Sequence, residues 1–315
     1  MKILVMGAGA IGSVFGGFLS KSQDVTLIGR KAHVSAIKEK GLRISGIWGE
    51  HLFKNLKAFT SADECKIYAP YDLVLITTKS YNTEYATMQI LPLIGKDSIV
   101  ASVQNGIGNE EIIAKIVGEE RTMGGMAIFG AMMLEPGHVK VTVYASECLF
   151  GTLSKDIEKS KIIAEMISKA GIPSLPTDDI IREKWIKAFY NIALNPLSAI
   201  LKVQYGKLGI YDETKAIIEV MLQEAFKVAK AEGIRLKFTC EEYFDYLMEK
   251  QLPPTSKHIS SMLQDLERRK RTEIDFLNGA IVRLGKAHKI ETPVNETMLN
   301  LIKTLERMYG STFLG

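Results

Sequence analysis

Near its start the chain runs an apolar strand pattern straight into glycines. Ile3-Leu4-Val5-Met6 is followed by Gly7-Ala8-Gly9-Ala10-Ile11-Gly12, and Ala10–Ser20 then carries the small and apolar residues of a packed helix. Strand, glycine-rich turn and helix in that order leave few folds open. Gly7 permits the tight turn, Gly9 lets the backbone approach a pyrophosphate, and Gly12 lets the helix pack closely on the strand. The free N–H groups and positive end of such a helix hold phosphate. The turn Gly7, Ala8, Gly9, Ala10, Ile11, Gly12 is therefore read as a dinucleotide-binding site.

The following sequence extends that reading. Val25–Ile28, Asp72–Thr77 and Ile99–Val103 are further short apolar runs separated by helical patterns. Such runs belong to a parallel sheet covered on both faces, and right-handed crossovers make it doubly wound. Arg121–Gly151 is rich in Gly, Met and β-branched residues around a turn signal, Glu135-Pro136-Gly137-His138; it predicts antiparallel strands that extend the sheet. A helix over Asp156–Ala170, stopped by Gly171, and a strand over Ile172–Leu175 complete this half. From Asp178 onward the apolar residues recur at three- and four-residue spacing. Helices are expected over Asp178–Leu194, Asp212–Glu232, Thr239–Lys250, His258–His288 and from about Pro293 to Tyr309. The fold class is an α/β Rossmann-type N-terminal domain, residues 1–177, with a doubly wound, mostly parallel sheet, plus an all-α C-terminal domain, residues 178–315. At roughly 150 residues per domain, 315 residues suit two.

Composition narrows the function classes. Forty basic residues against 36 acidic ones give a net charge of +4, too mild for a nucleic-acid partner. No apolar run nears the roughly 18 residues that span a bilayer, so no membrane partner is expected. Cys65, Cys148 and Cys240 are far apart and unpaired by motif, as in a reducing compartment, and the start lacks a signal-peptide pattern. A cytoplasmic protein is expected. The five histidines show no metal-ligand spacing, and no metal is expected.

Three further stretches carry polar groups at informative places. The second strand ends Leu27-Ile28-Gly29-Arg30-Lys31, without the acid that would bond a ribose 2′-hydroxyl. Arg30, ahead of Lys31, suits a 2′-phosphate and favours NADP(H); the alternative is a solvated basic turn. Lys79 follows the third strand and Asn105-Gly106 the fourth, both at the sheet's carboxyl edge where ligands bind; ligand contacts are the reading preferred, and the alternative is two ordinary loop ends. In the helical half, Lys187, Asn191 and Asn195 are spaced four apart and drift only about 80° around a helix, so they share a face. They form either an active-site stripe, the reading preferred, or a polar face toward solvent. Pro196 is expected to kink or end that helix. Ser260-Ser261-Met262-Leu263-Gln264-Asp265 is followed by Thr272-Glu273-Ile274-Asp275, but on a straight helix Ser261 and Glu273 lie roughly 120° apart.

With these motifs together the whole chain resembles the ketopantoate reductase (2-dehydropantoate 2-reductase) family. The resemblance implies NADPH-dependent reduction of 2-dehydropantoate to pantoate, a step toward pantothenate and coenzyme A. It implies Lys187 and Glu273 as catalytic residues. Cofactor contacts would come from the glycine turn, Arg30, Lys79 and Asn105, and substrate contacts from Asn191, Asn195 and Ser261. It also implies a homodimer. Two positions depart from the family pattern, each an asparagine there: His258 here stands two before the Ser-Ser pair, and Tyr205 before Gly206. Both are assigned to substrate binding, His258 by donating to a carboxylate and Tyr205 by donating one bond. They motivate an alternative, an NADP-dependent reductase of a different branched 2-oxo acid. A non-catalytic NADP(H) sensor is a third reading.

Overall fold

The computed structural model describes residues 1–310. The chain divides into two compact units: Met1–Gln104 with Asn109–Ile180, and Asn105–Gly108 with the residues from Ile181 onward.

In the first unit, β1 (Lys2–Met6), α1 (Ala10–Leu19), β2 (Asp24–Ile28) and α2 (Lys31–Lys40) follow in order. Next come β3 (Leu42–Gly46), β4 (His51–Phe53), β5 (Lys57–Phe59) and β6 (Tyr71–Ile76). Then come α3 (Thr83–Ile90), β7 (Ile94–Ser102), α4 (Asn109–Val117) and β8 (Thr122–Met126). The unit ends with β9 (Phe129–Glu135), β10 (His138–Tyr144), β11 (Cys148–Thr152), α5 (Ile157–Ala170) and β12 (Ser174–Pro176). An eight-stranded sheet has the order β12-β11-β8-β7-β6-β1-β2-β5. All its pairings are parallel except β8 with β11. β1 is flanked by β2 on one side and β6 on the other, so the strand order reverses there. Ligands of open α/β sheets bind at the carboxyl ends of strands beside such a reversal.

The expected extension of this sheet holds only for β8 and β11. The β9–β10 hairpin leaves it and joins a second sheet of order β4-β3-β10-β9. The cause is long-range: β3 pairs in parallel with β10, Ile44 opposite Val139. The pattern reading had also missed β3, β4 and β5 altogether. α1 is buried along eight of its ten residues because it is clasped between the two sheets. A Cβ on Gly16 would lie 2.3 Å from Leu27 in the large sheet, and one on Gly17 2.8 Å from Ile44 and Phe53 in the small one. The missing side chains let both sheets close on the helix. Buried His33 ties the same corner: its Nδ1 accepts from Gly137 N at 2.9 Å, so Nε2 carries the proton toward Ser13 Oγ, also 2.9 Å away.

In the second unit the described residues form helices without a strand. They are α6 (Ile180–Leu201), α7 (Tyr205–Leu208), α8 (Asp212–Ala231), α9 (Cys240–Tyr246), α10 (Ser261–Glu267), α11 (Asn278–Ala287) and α12 (Pro293–Gly310). α9 runs on as a π-helical turn, Leu247–Gln251. The core gathers Trp185, Phe189, Ile192, Met221, Leu222 and Tyr243.

Of the two outcomes expected at Pro196, a kink or an end, the end does not occur: α6 continues to Leu201. Proline removes the N–H that would bond the carbonyl of Ile192. The Asn278 side chain supplies the donor instead, its Nδ2 lying 3.3 Å from Ile192 O. Asn278 also donates to Asn295, and Asn295 to Glu224, whose carboxylate accepts from the N–H groups of Val294 and Asn295 at the start of α12. Nor is His258–His288 one helix. α10 ends at Glu267, Arg269 takes a left-handed φ of 53°, and a short 3₁₀ turn over Ile274–Phe276 precedes α11.

Candidate active site

The first unit contributes a turn made almost wholly of backbone. Gly7 N and Ala8 N both donate to Ile28 O, at 3.1 and 2.7 Å, which ties the turn to the end of β2. Gly7 has φ +112°, a conformation that side chains disfavour. At Gly12 a Cβ would sit 2.4 Å from both Gly7 O and Thr77 Oγ1. Thr77 was not assigned by sequence; its hydroxyl donates to Gly7 O at 2.7 Å and locks the loop from the end of β6. A Cβ on Gly9 would meet nothing nearer than Gly7 O at 3.9 Å, so the space on that side is open. Gly9 caps α1 without a side-chain bond, so the first amides of the helix remain available to an anion. Such a cradle fits a pyrophosphate. Arg30 sits at the N-cap of α2, exposed, its guanidinium without an ion pair among the described residues. Lys31 is exposed beside it, and Lys79 is half-buried after β6.

The second unit contributes a site made of side chains. Asn105 belongs to it because Gly106 and Ile107 are held there: Ile107 N donates to Phe276 O at 2.8 Å, and a Cβ on Gly106 would meet that same oxygen at 2.6 Å. Lys187 Nζ donates to Asn105 Oδ1 at 3.0 Å. Two turns along α6, Asn195 lines a small cavity with Asn105, Ser261, Met262, Asp265, Glu273 and Leu277. Its volume of about 10 Å³ accommodates one water-sized polar group. Ser261 and Glu273 reach it together because the chain turns back after α10, which a straight helix could not do. Glu273 is 9% exposed. Its neighbour Asp275 pins this turn with ion pairs to Lys303 and Arg271 at 2.6 and 3.0 Å. Burial alone would raise the Asp275 carboxyl, but those two cations outweigh it and hold it below the ordinary aspartate range. Asp265 lies one helical turn after Ser261, and that i, i+4 spacing was the available signal for it.

Asn191, His258 and Tyr205 do not line the cavity. Asn191 is half-buried on α6. The His258 ring packs 5.1 Å from that of Tyr205, and partial desolvation lowers its pKa, so the neutral ring prevails near pH 7. Tyr205 is 2% exposed, and its hydroxyl donates to Asn195 Oδ1 at 2.5 Å. The bond expected toward a substrate is therefore already engaged within the protein. Among the described residues no cluster of three or more His, Cys, Asp or Glu is placed to hold a metal ion, and no helix is long and apolar enough to cross a membrane.

Comparisons with known proteins converge on one family. Residues 3–155 match the model of ketopantoate reductase PanE/ApbA, and residues 179–306 that of the ketopantoate reductase PanE/ApbA C terminal. The chain is 37% identical over 314 residues to a 2-dehydropantoate 2-reductase of Aquifex aeolicus, covering 97% of each. A PanE/ApbA family ketopantoate reductase from Ralstonia eutropha JMP134 superposes with TM-score 0.88 at 32% identity, covering 98% of this chain and 99% of that one. D-mandelate dehydrogenase, in a ternary structure with NADH and anilino(oxo)acetate, gives TM-score 0.89 at 32% identity over 98% and 99% of the two chains. With both halves matched in order, the chain belongs to the ketopantoate reductase family, a family of oxidoreductases.

Proposed function

We propose that this protein reduces 2-dehydropantoate to pantoate with NADPH, in the route toward pantothenate and coenzyme A. The observation that carries the reading is the convergence of Lys187 and Asn195 on Asn105, beside a cavity that Ser261 and Glu273 also line. The nicotinamide cofactor, when bound, supplies a hydride. The chain's own groups do the rest. Gly7–Gly12 and the start of α1 would hold the pyrophosphate, and the guanidinium of Arg30, without an ion pair among the described residues, the 2′-phosphate, which is the reason to prefer NADPH. Lys79 and Asn105 would each contact the cofactor, as the family resemblance implies.

Reduction of a 2-oxo carbon leaves an alkoxide. The Lys187 ammonium stabilises that charge and gives up a proton from Nζ, acting as oxyanion donor and general acid. Glu273 takes the substrate hydroxyl or orients Lys187. Ser261 and the amide of Asn195 donate to the carboxylate. A cavity that admits one polar group recognises part of a substrate, so an analogue lacking that group should be rejected strongly.

A second reading is reduction of a different 2-oxo acid, with NADPH or NADH as the hydride source. It is motivated by His258 and Tyr205 and by the likeness to D-mandelate dehydrogenase with NADH. One experiment separates the two. The purified protein is offered 2-dehydropantoate, its analogue without the hydroxyl, and an aryl 2-oxo acid, each with NADPH and with NADH. Oxidation of NADPH by 2-dehydropantoate at a kcat/KM at least about ten times that for the others is expected. Turnover of the aryl acid alone would overturn the first reading in favour of the second.

A further inference from the structure

We infer that Tyr205 is a positioning residue that fixes which way round the Asn195 side-chain amide lies, so that Nδ2, a donor, faces the cavity. The inference deepens the function proposed above and rests on it for the identity of the substrate. Its geometry stands on the second unit alone.

An amide can present either its oxygen or its nitrogen, and the surrounding hydrogen bonds decide. Asn195 is 4% exposed and Tyr205 2%. The Tyr205 hydroxyl has one partner among the described residues, Asn195 Oδ1. Desolvation, with Tyr190 close by, raises the Tyr205 pKa well above the ordinary tyrosine value, so the phenol keeps its proton. That proton must go to an acceptor. Were the amide flipped, Nδ2 would face the hydroxyl and the buried O–H would have no acceptor, a cost comparable to losing a hydrogen bond outright. The observed orientation is therefore the favoured one. Nδ2 makes no hydrogen bond of its own among the described residues, yet it is not one of the fully enclosed polar atoms left without a partner. Asn195 lines the cavity with Ser261 and Glu273. Nδ2 is thus the group that Asn195 offers to an oxygen of a 2-oxo acid.

The phenol is itself held from several sides. Its ring packs edge-on against Tyr190 at 5.7 Å and tilted against His258 at 5.1 Å. Tyr205 N donates to His258 O at 3.0 Å and Gly206 N to Ser256 O at 2.9 Å. A Phe at this position keeps the ring and loses only the proton that orients the amide.

The test compares wild type with Tyr205→Phe, Asn195→Ala and the double variant, using 2-dehydropantoate and NADPH. Tyr205→Phe is expected to raise the KM for 2-dehydropantoate roughly tenfold, with kcat and the NADPH dissociation constant within about twofold of wild type. In the Asn195→Ala background the same change should do almost nothing, because the amide it orients is gone. Asn195→Asp keeps an acceptor for Tyr205 and puts another acceptor toward the cavity, so its KM should rise more than tenfold without a fall in Tm. An unchanged KM in Tyr205→Phe, or an equal rise in the presence and absence of the Asn195 amide, would overturn the inference. A readout without turnover keeps it separate from the functional reading. In protein labelled with ¹⁵N at asparagine, the Asn195 amide pair is identified by its loss in Asn195→Ala. It should shift and broaden in Tyr205→Phe, and an unmoved pair would overturn the inference. If wild type fails to turn over 2-dehydropantoate, the proposed function falls and this spectrum still decides the role of Tyr205.

Discussion

The glycine turn of the first unit and the cavity of the second are built by opposite means. The turn uses backbone amides, and its neighbours come so close that side chains are excluded: Gly12 faces Gly7 O and Thr77 at the distance of a clash. The cavity uses side chains brought from Asn105, α6, α10 and the turn at Glu273. A backbone site tolerates no added atom but asks little of residue identity. A side-chain site tolerates changes of volume better, but depends on individual groups and on what orients them. The first kind suits a phosphate, alike in every nucleotide. The second suits a substrate that must be told from its analogues.

That contrast can be broken or sharpened by substitution. The largest effect is expected at Lys187. Lys187→Ala should lower kcat by about 10²- to 10⁴-fold while NADPH binding, measured by fluorescence, stays within a few-fold. Equal kcat would remove the proposed acid. Next is Gly12→Ala. One methyl pressed on a backbone oxygen should cost roughly 1–3 kcal/mol, seen as a drop in Tm, and should weaken NADPH binding at least tenfold. Retained Tm and affinity would mean the turn is more yielding than its spacing implies. Arg30→Ala should raise the KM for NADPH about tenfold and leave that for NADH nearly unchanged. A parallel rise for both would return Arg30 to the role of a solvated base.

The smallest effect concerns His33, outside both sites. Burial lowers its pKa, so the folded protein prefers the neutral ring. The unfolded chain binds a proton near pH 6.5, the folded one only at lower pH. Stability is therefore full above about pH 6.5 and declines as pH falls below it. Thermal melts between pH 7.5 and 5.5 should show a falling Tm, with a shallower fall in His33→Gln. Equal slopes would show that other groups govern the acid limb.

The two sites were unequally legible in the sequence for the same physical reason that they differ in construction. Gly7, Gly9 and Gly12 lie within one turn of chain, and the strand and helix that give them meaning adjoin them. Lys187 and Asn195 could be placed on one face of α6 by spacing alone. That α6 passes through Pro196 could not be read, because the replacement donor, Asn278, stands 86 residues away from Ile192 in sequence. Ser261 and Glu273 were quoted together but not joined, since only the break after Glu267 brings them to one cavity. The β9–β10 hairpin was recognised and set in the wrong sheet, because its partner β3 precedes it by some ninety residues and had not been recognised. Tyr205 stood out as a departure, yet its engagement with Asn195 depends on a fold in which both are buried.

The clasp of two sheets around α1 has a further bearing on how a nucleotide is met. A helix gripped along nearly its whole length has no slack to lose when its amino end receives a charged group. Its amides are aimed in advance, and the ordering entropy was surrendered during folding rather than at the moment of encounter. Local opening there requires parting of both sheets, so the amides of α1 are expected to exchange slowly.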